Sequence, residues 1–88
     1  MSKLVYYSNT NIVAERKIKG SCYKKHDHKV YTQMEQDFAL YSDISADTTY
    51  AETYDKNNNS LNVYTLDDIH NGIKSTKFNR QIFEDLFA

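Results

Sequence analysis

Apolar and polar positions alternate from the start of the chain. Residues 3–7 (KLVYY) are rich in β-branched and aromatic side chains and predict a strand. The polar run at 8–11 is a turn signal. After it, Ile12, Ala14 and Ile18 alternate with Val13, Glu15, Lys17 and Lys19, which predicts a second strand paired with the first, its apolar face interrupted by Arg16. A helix over 12–19 is the competing assignment, because Glu15, Arg16 and Lys17 accept one. Gly20 and Ser21 punctuate the chain. Residues 24–29 are too polar to bury, and Val30 and Tyr31 predict a short third strand.

The period then changes. Thr32 and Glu35 have the spacing of a capping box, and Met34, Phe38 and Tyr41 recur at helical spacing, so a helix is expected over 33–43, followed by a loop at 43–47. Residues 48–54 (TTYAETY) and 61–64 (LNVY) alternate again around a polar turn at 56–60, the clearest hairpin signal in the chain. Thr65 and Asp68 cap a helix whose Leu66, Ile69 and Ile73 share a face, and its early aspartates suit the positive end of the helix dipole. Ser75 and Thr76 are expected to break it. Phe78, Ile82, Phe83, Leu86 and Phe87 then form an apolar last helix that must dock to be stable.

This order predicts one α+β domain over 1–88, an antiparallel sheet of about four strands in two hairpins packed with two to three short helices. Eighty-eight residues are too few for two cores. The expected core is Leu4, Ile12, Phe38, Leu61, Val63, Ile69, Phe78, Ile82 and Leu86. If Phe83 and Phe87 flank that stripe, they offer an exposed patch for a homodimer through the C-terminal helix. The eight tyrosines, each with an apolar ring and a polar tip, can border the core or centre an interface.

Charge adds a feature that the periodicity does not contain. Residues 1–34 carry seven Lys/Arg against two acids, residues 35–68 carry eight acids against Lys56 alone, and the total of −1 hides the contrast. Blocks of opposite sign steer charged partners or neutralise each other in the fold. No apolar run is long enough to span a membrane, no signal-peptide segment opens the chain, and the single Cys22 allows no internal disulfide, so a cytoplasmic setting is expected. Eight Asn among frequent Lys, Ile and Tyr is the bias of AT-rich coding sequences, which suggests a phage or other mobile element as source.

Candidate chemistry is sparse. Cys22, His26 and His28 are zinc-type ligands, but Cys-x3-His-x-His is not a standard spacing and lysines surround it. Those lysines would favour a Cys22 thiolate, yet Gly20 and Gly72, the chain's two glycines, sit in no phosphate-cradling motif, and no oxyanion-hole signature is visible. No catalytic residue and no cofactor are assigned. Lys17, Lys19, Lys24, Lys25 and Lys29, interleaved with Tyr23 and Tyr31, have the composition of a nucleic-acid binder, although no named motif is present and the pI is about 6.3. The acidic stretch has 26 residues, 30–55, without Lys or Arg. Its Asp43, Asp47, Tyr50, Glu52 and Tyr54 are the leading candidates for binding a protein partner with a basic surface, in the manner of a small inhibitor or accessory factor. A non-enzymatic binding protein is the expectation, with nucleic-acid binding and metal binding as the alternatives.

Overall fold

The computed structural model describes the backbone of residues 1–87 and the side chains of residues 1–76. Strands β1 (Ser2–Ser8) and β2 (Asn11–Ile18) form the first hairpin. Its turn is closed by Asn9 at φ 55, a left-handed conformation that asparagine tolerates. Helices α1 (His28–Leu40) and α2 (Ser42–Asp47) follow, then the second hairpin of β3 (Tyr50–Tyr54) and β4 (Ser60–Thr65), and finally α3 (Leu66–Phe87). The strands lie in the order β2-β1-β3-β4, every pair antiparallel. The expected α+β architecture of two hairpins is therefore present, and the hairpins are joined edge to edge by β1 and β3. Thr49 extends that seam: its backbone N–H donates to the Tyr7 carbonyl at 2.7 Å, and its Oγ1 accepts from the Asn9 N–H at 2.8 Å.

Several local expectations are corrected. Val30 and Tyr31 belong to α1, which starts earlier than expected because the Asp27 carboxylate caps it, accepting from the Lys29 N–H at 2.9 Å. Thr32 consequently falls inside the helix, and its buried hydroxyl has no hydrogen-bond partner among the described residues. Residues 43–47 are helical, pinned by Ile44 in the core. The start of α3 is capped as expected, by a reciprocal pair: the Asp68 N–H donates to Thr65 Oγ1 and the Thr65 N–H to Asp68 Oδ2. Ser75 and Thr76 do not break α3, since the Thr76 hydroxyl donates to the Gly72 carbonyl one turn back at 3.0 Å.

The core lies between one face of the sheet and the helices. Leu4 and Tyr6 from β1, Ala51 from β3 and Tyr64 from β4 meet Val30, Tyr31 and Met34 from α1, Ile44 from α2 and Ile69 from α3. Leu4 and Ile69 are as expected, with Phe38 packed against them. Ile12 and Val63 are not core: they are 58% and 48% exposed. Leu61 is half-buried. Phe78, Ile82 and Leu86, and the dimer patch of Phe83 and Phe87, lie outside the described side chains.

Candidate interaction surface

Alternation along each strand places every second residue on the face away from this core, and the register of the three ladders fixes which ones are neighbours. Lys17, Lys3 and Tyr54 form one cross-strand row, Glu15, Val5, Glu52 and Val63 the next, and Ile12, Tyr7, Tyr50 and Thr65 the third. Val5 is buried but stands apart from the core cluster, as a central residue screened by its neighbours on this second face would.

The tyrosines of this open face hold one another in place. The rings of Tyr7 and Tyr50 stack at 4.8 Å between centroids and 12° between planes. The Tyr7 and Tyr54 hydroxyls share a hydrogen bond of 2.6 Å, and Lys3 Nζ sits 5.6 Å from the centre of the Tyr54 ring. Desolvation, and then the hydrogen bond shared with Tyr7, raise the Tyr54 phenol well above its ordinary value. Glu52 accepts a short hydrogen bond from the Ser60 hydroxyl on the neighbouring strand. Three of the expected partner-binding residues, Tyr50, Glu52 and Tyr54, thus occupy the same face of β3. Asp43 and Asp47 are exposed, one turn apart on α2, the helix that leads into the Tyr50 end of that strand.

The charge blocks are partly joined by the fold. Asp37, 2% exposed, accepts from Arg16 Nε at 3.0 Å, from the Tyr6 hydroxyl at 2.7 Å and from Gln33 Nε2 at 3.2 Å. Lys25 reaches Asp68 at 3.2 Å, and that contact, with the Thr65 N–H as the larger contributor, holds the Asp68 carboxyl below its usual range. Both bridges cross from the basic block to the acidic one. Of the remaining candidate lysines, Lys29 is tethered to the Ser21 carbonyl at 3.0 Å and the Lys19 carbonyl at 3.4 Å, whereas Lys17, Lys19 and Lys24 are exposed and make no ion pair with described residues.

The metal alternative is not supported. Cys22 is fully buried in the core cluster, His26 hydrogen-bonds the Tyr31 hydroxyl at 3.1 Å, and among the described residues no group of three or more Cys, His, Asp or Glu is placed to hold an ion. Nor do the lysines activate the thiol, because desolvation outweighs them and raises the Cys22 pKa. Sequence reasoning missed Lys3, Val5, Tyr7 and Glu15 as members of the open face. The alternation of Lys3, Val5 and Tyr7 within 3–7 was a usable signal, but the pairing of β1 with β3 was not.

The protein is a two-layer α+β domain whose helices cover one side of a four-stranded antiparallel sheet and whose other side displays basic, acidic and aromatic rows. No protein-family model, curated protein or solved structure matches the chain. Among the described residues no helix is long and apolar enough to cross a membrane.

Proposed function

We propose that this chain is a binding module that engages a basic protein surface through the open face of its sheet, acting as an inhibitor or accessory factor in the cytosol. The observation that carries this reading is the Tyr7, Tyr50 and Tyr54 cluster, whose rings are stacked and hydrogen-bonded before any partner arrives. Tyrosines pre-ordered in this way lose little side-chain entropy on binding and are favoured as interface anchors. Exposed Val63 and Ile12 add apolar contact at the rim of the cluster. Glu15 and Glu52 beside Val5, with Asp43 and Asp47 on α2, supply the negative potential that selects a basic partner and speeds its encounter. The cytosolic setting is consistent with Cys22, a buried free thiol that needs no oxidising compartment.

The test compares wild type with Tyr50→Ser/Tyr54→Ser and with Asp47→Lys/Glu52→Lys in partner capture from the native host, after nuclease treatment. Circular dichroism confirms that each variant is folded. A partner retained by wild type should bind the tyrosine variant about 30-fold more weakly, the value of one anchor of roughly 2 kcal/mol. The charge variant should mainly slow association and flatten its salt dependence. A partner captured equally by all three proteins would sink the proposal.

A further inference from the structure

The end of the sheet opposite Tyr50 gathers cations that are far apart in sequence. A cleft of about 430 Å³ between the end of β2 and α1 is lined by Lys17, Lys19, His28 and Lys29, with Gln33 and Gln36 on the helix side; among the described residues no carboxylate lines it, although Asp27 Oδ2 lies 4.0 Å from Lys29 Nζ. A second cleft of about 210 Å³ is lined by Lys3, Lys17 and Lys56, with Asp55 as the one acid among its described residues. Lys17 lines both, so the two clefts adjoin. Asp55 keeps its negative charge, held in the β3–β4 turn by the backbone N–H groups of Asn57 and Asn59 at 2.8 and 2.9 Å and by Asn59 Nδ2 at 3.3 Å, so the three lysines of this cleft still outnumber it. Lys29 is held at the wall of the first cleft by its bonds to the 19–21 turn.

The result is a track of five ammonium groups, Lys29, Lys19, Lys17, Lys3 and Lys56, strung across two adjoining open clefts. A compact anion is bound best where donors converge on one point. A line of cations instead matches a linear polyanion, whose neutralisation releases counterions along its length. Among the described residues no aromatic ring lines either cleft, so their linings offer no stacking platform to a base. We propose that it binds the sugar-phosphate backbone of a nucleic-acid strand, without sequence preference. Lys3 and Lys17 border the open face in the row that reaches Tyr54, but the track uses none of the tyrosines or carboxylates altered in the test of that face, so the two proposals can fail independently.

The test is fluorescence anisotropy of the full chain with short labelled single-stranded DNA and RNA of mixed sequence, at several salt concentrations. Five phosphate contacts predict a log-log salt slope near −3.5, at about 0.7 per contact on a single strand. Lys17→Ala/Lys19→Ala should reduce the slope by about 1.4 and weaken binding at low salt by roughly tenfold or more. Gln36→Glu, an exposed substitution that places a carboxylate in the first cleft, should weaken binding without touching a lysine. Lys24→Ala, outside both clefts, should change neither affinity nor slope. Absence of binding at low salt, or equal binding by wild type, the double variant and Gln36→Glu, would overturn the proposal. A free nucleotide or inorganic phosphate that binds as tightly as the oligonucleotide would also overturn it, because an extended track gives a small anion no such advantage.

Discussion

Strands β1 and β3 present two faces that share one backbone and one hydrogen-bond ladder yet obey different rules. On the covered face, Leu4, Tyr6, Ala51 and Thr53 have no exposure at all. On the open face, Lys3, Tyr7, Tyr50, Glu52 and Tyr54 are half-buried. A polar group on the covered face must find a protein partner, because water cannot reach it. The Tyr6 hydroxyl therefore bonds Asp37, and Asp37 in turn requires Arg16 and Gln33. On the open face the Tyr7 and Tyr54 hydroxyls share one hydrogen bond, between half-buried side chains that water or a ligand can reach. The difference separates charges that support the fold from charges that remain available. Arg16 and Asp37 come from opposite charge blocks and are consumed by the core, whereas Asp43, Asp47, Lys17 and Lys19 remain at the surface.

The sharpest way to break this contrast is to remove the same kind of apolar mass from each side. Leu4→Ala should cost about 3 kcal/mol, because the vacated space is closed in by both layers. Val63→Ala, on the open face and 48% exposed, should cost well under about 1 kcal/mol. Denaturant midpoints of the two variants measure both. Equal losses would mean that the helices do not cover the face assigned to them.

Next in size is Gly72→Ala. In an exposed helix this exchange stabilises by about 1 kcal/mol. Here a Cβ at position 72 would lie 2.2 Å from Cδ1 and Cε1 of Tyr31, a ring that packs edge-on against Tyr64 at 5.9 Å and bonds His26. The ring must move, and a net loss of about 1–3 kcal/mol is expected from overpacking. A gain in thermal stability would show that α1 and α3 are not this close.

The contrast between faces also explains how much could be read from the chain. The two hairpins were legible because alternation and turn residues are local signals. The side to which each alternating residue points was legible only where the ladder stays in register. By alternation Ile12 shares a face with Ala14 and Ile18, but the register shifts between Tyr6 and Tyr7, so that Ile12 pairs with Tyr7 and joins the open face. A similar shift between Thr53 and Tyr54 leaves Leu61 between the rungs while Tyr64, rather than Val63, enters the core. The β1–β3 seam depends on residues more than forty positions apart, which no local pattern encodes. It alone brings Tyr7 to Tyr50, and Lys3 and Lys17 to the turn that carries Lys56. In α1 the signal was present, since Val30, Tyr31, Met34 and Phe38 have helical spacing, but the Thr32–Glu35 spacing displaced the start by one turn.

The smallest effect at neutral pH tests the hydroxyls themselves. Tyr6 and Tyr64 are raised well above the ordinary phenol value of 10.0, chiefly by desolvation, and Tyr54 is raised by desolvation together with the hydrogen bond it shares with Tyr7. A group whose folded-state pKa exceeds its unfolded value contributes stability that is complete below the unfolded value and is lost as pH rises beyond it. The melting temperature should therefore hold below pH 10 and fall above it. Tyr6→Phe removes a phenol with no exposure, so it should flatten the alkaline fall more than Tyr54→Phe does; at neutral pH it costs about 1.5 kcal/mol, because it takes a charge-assisted bond from buried Asp37, against about 1 kcal/mol for Tyr54→Phe. If Tyr54→Phe flattened the fall as much as Tyr6→Phe, the open face would be as dry as the covered one, and its tyrosines would not be accessible to a partner.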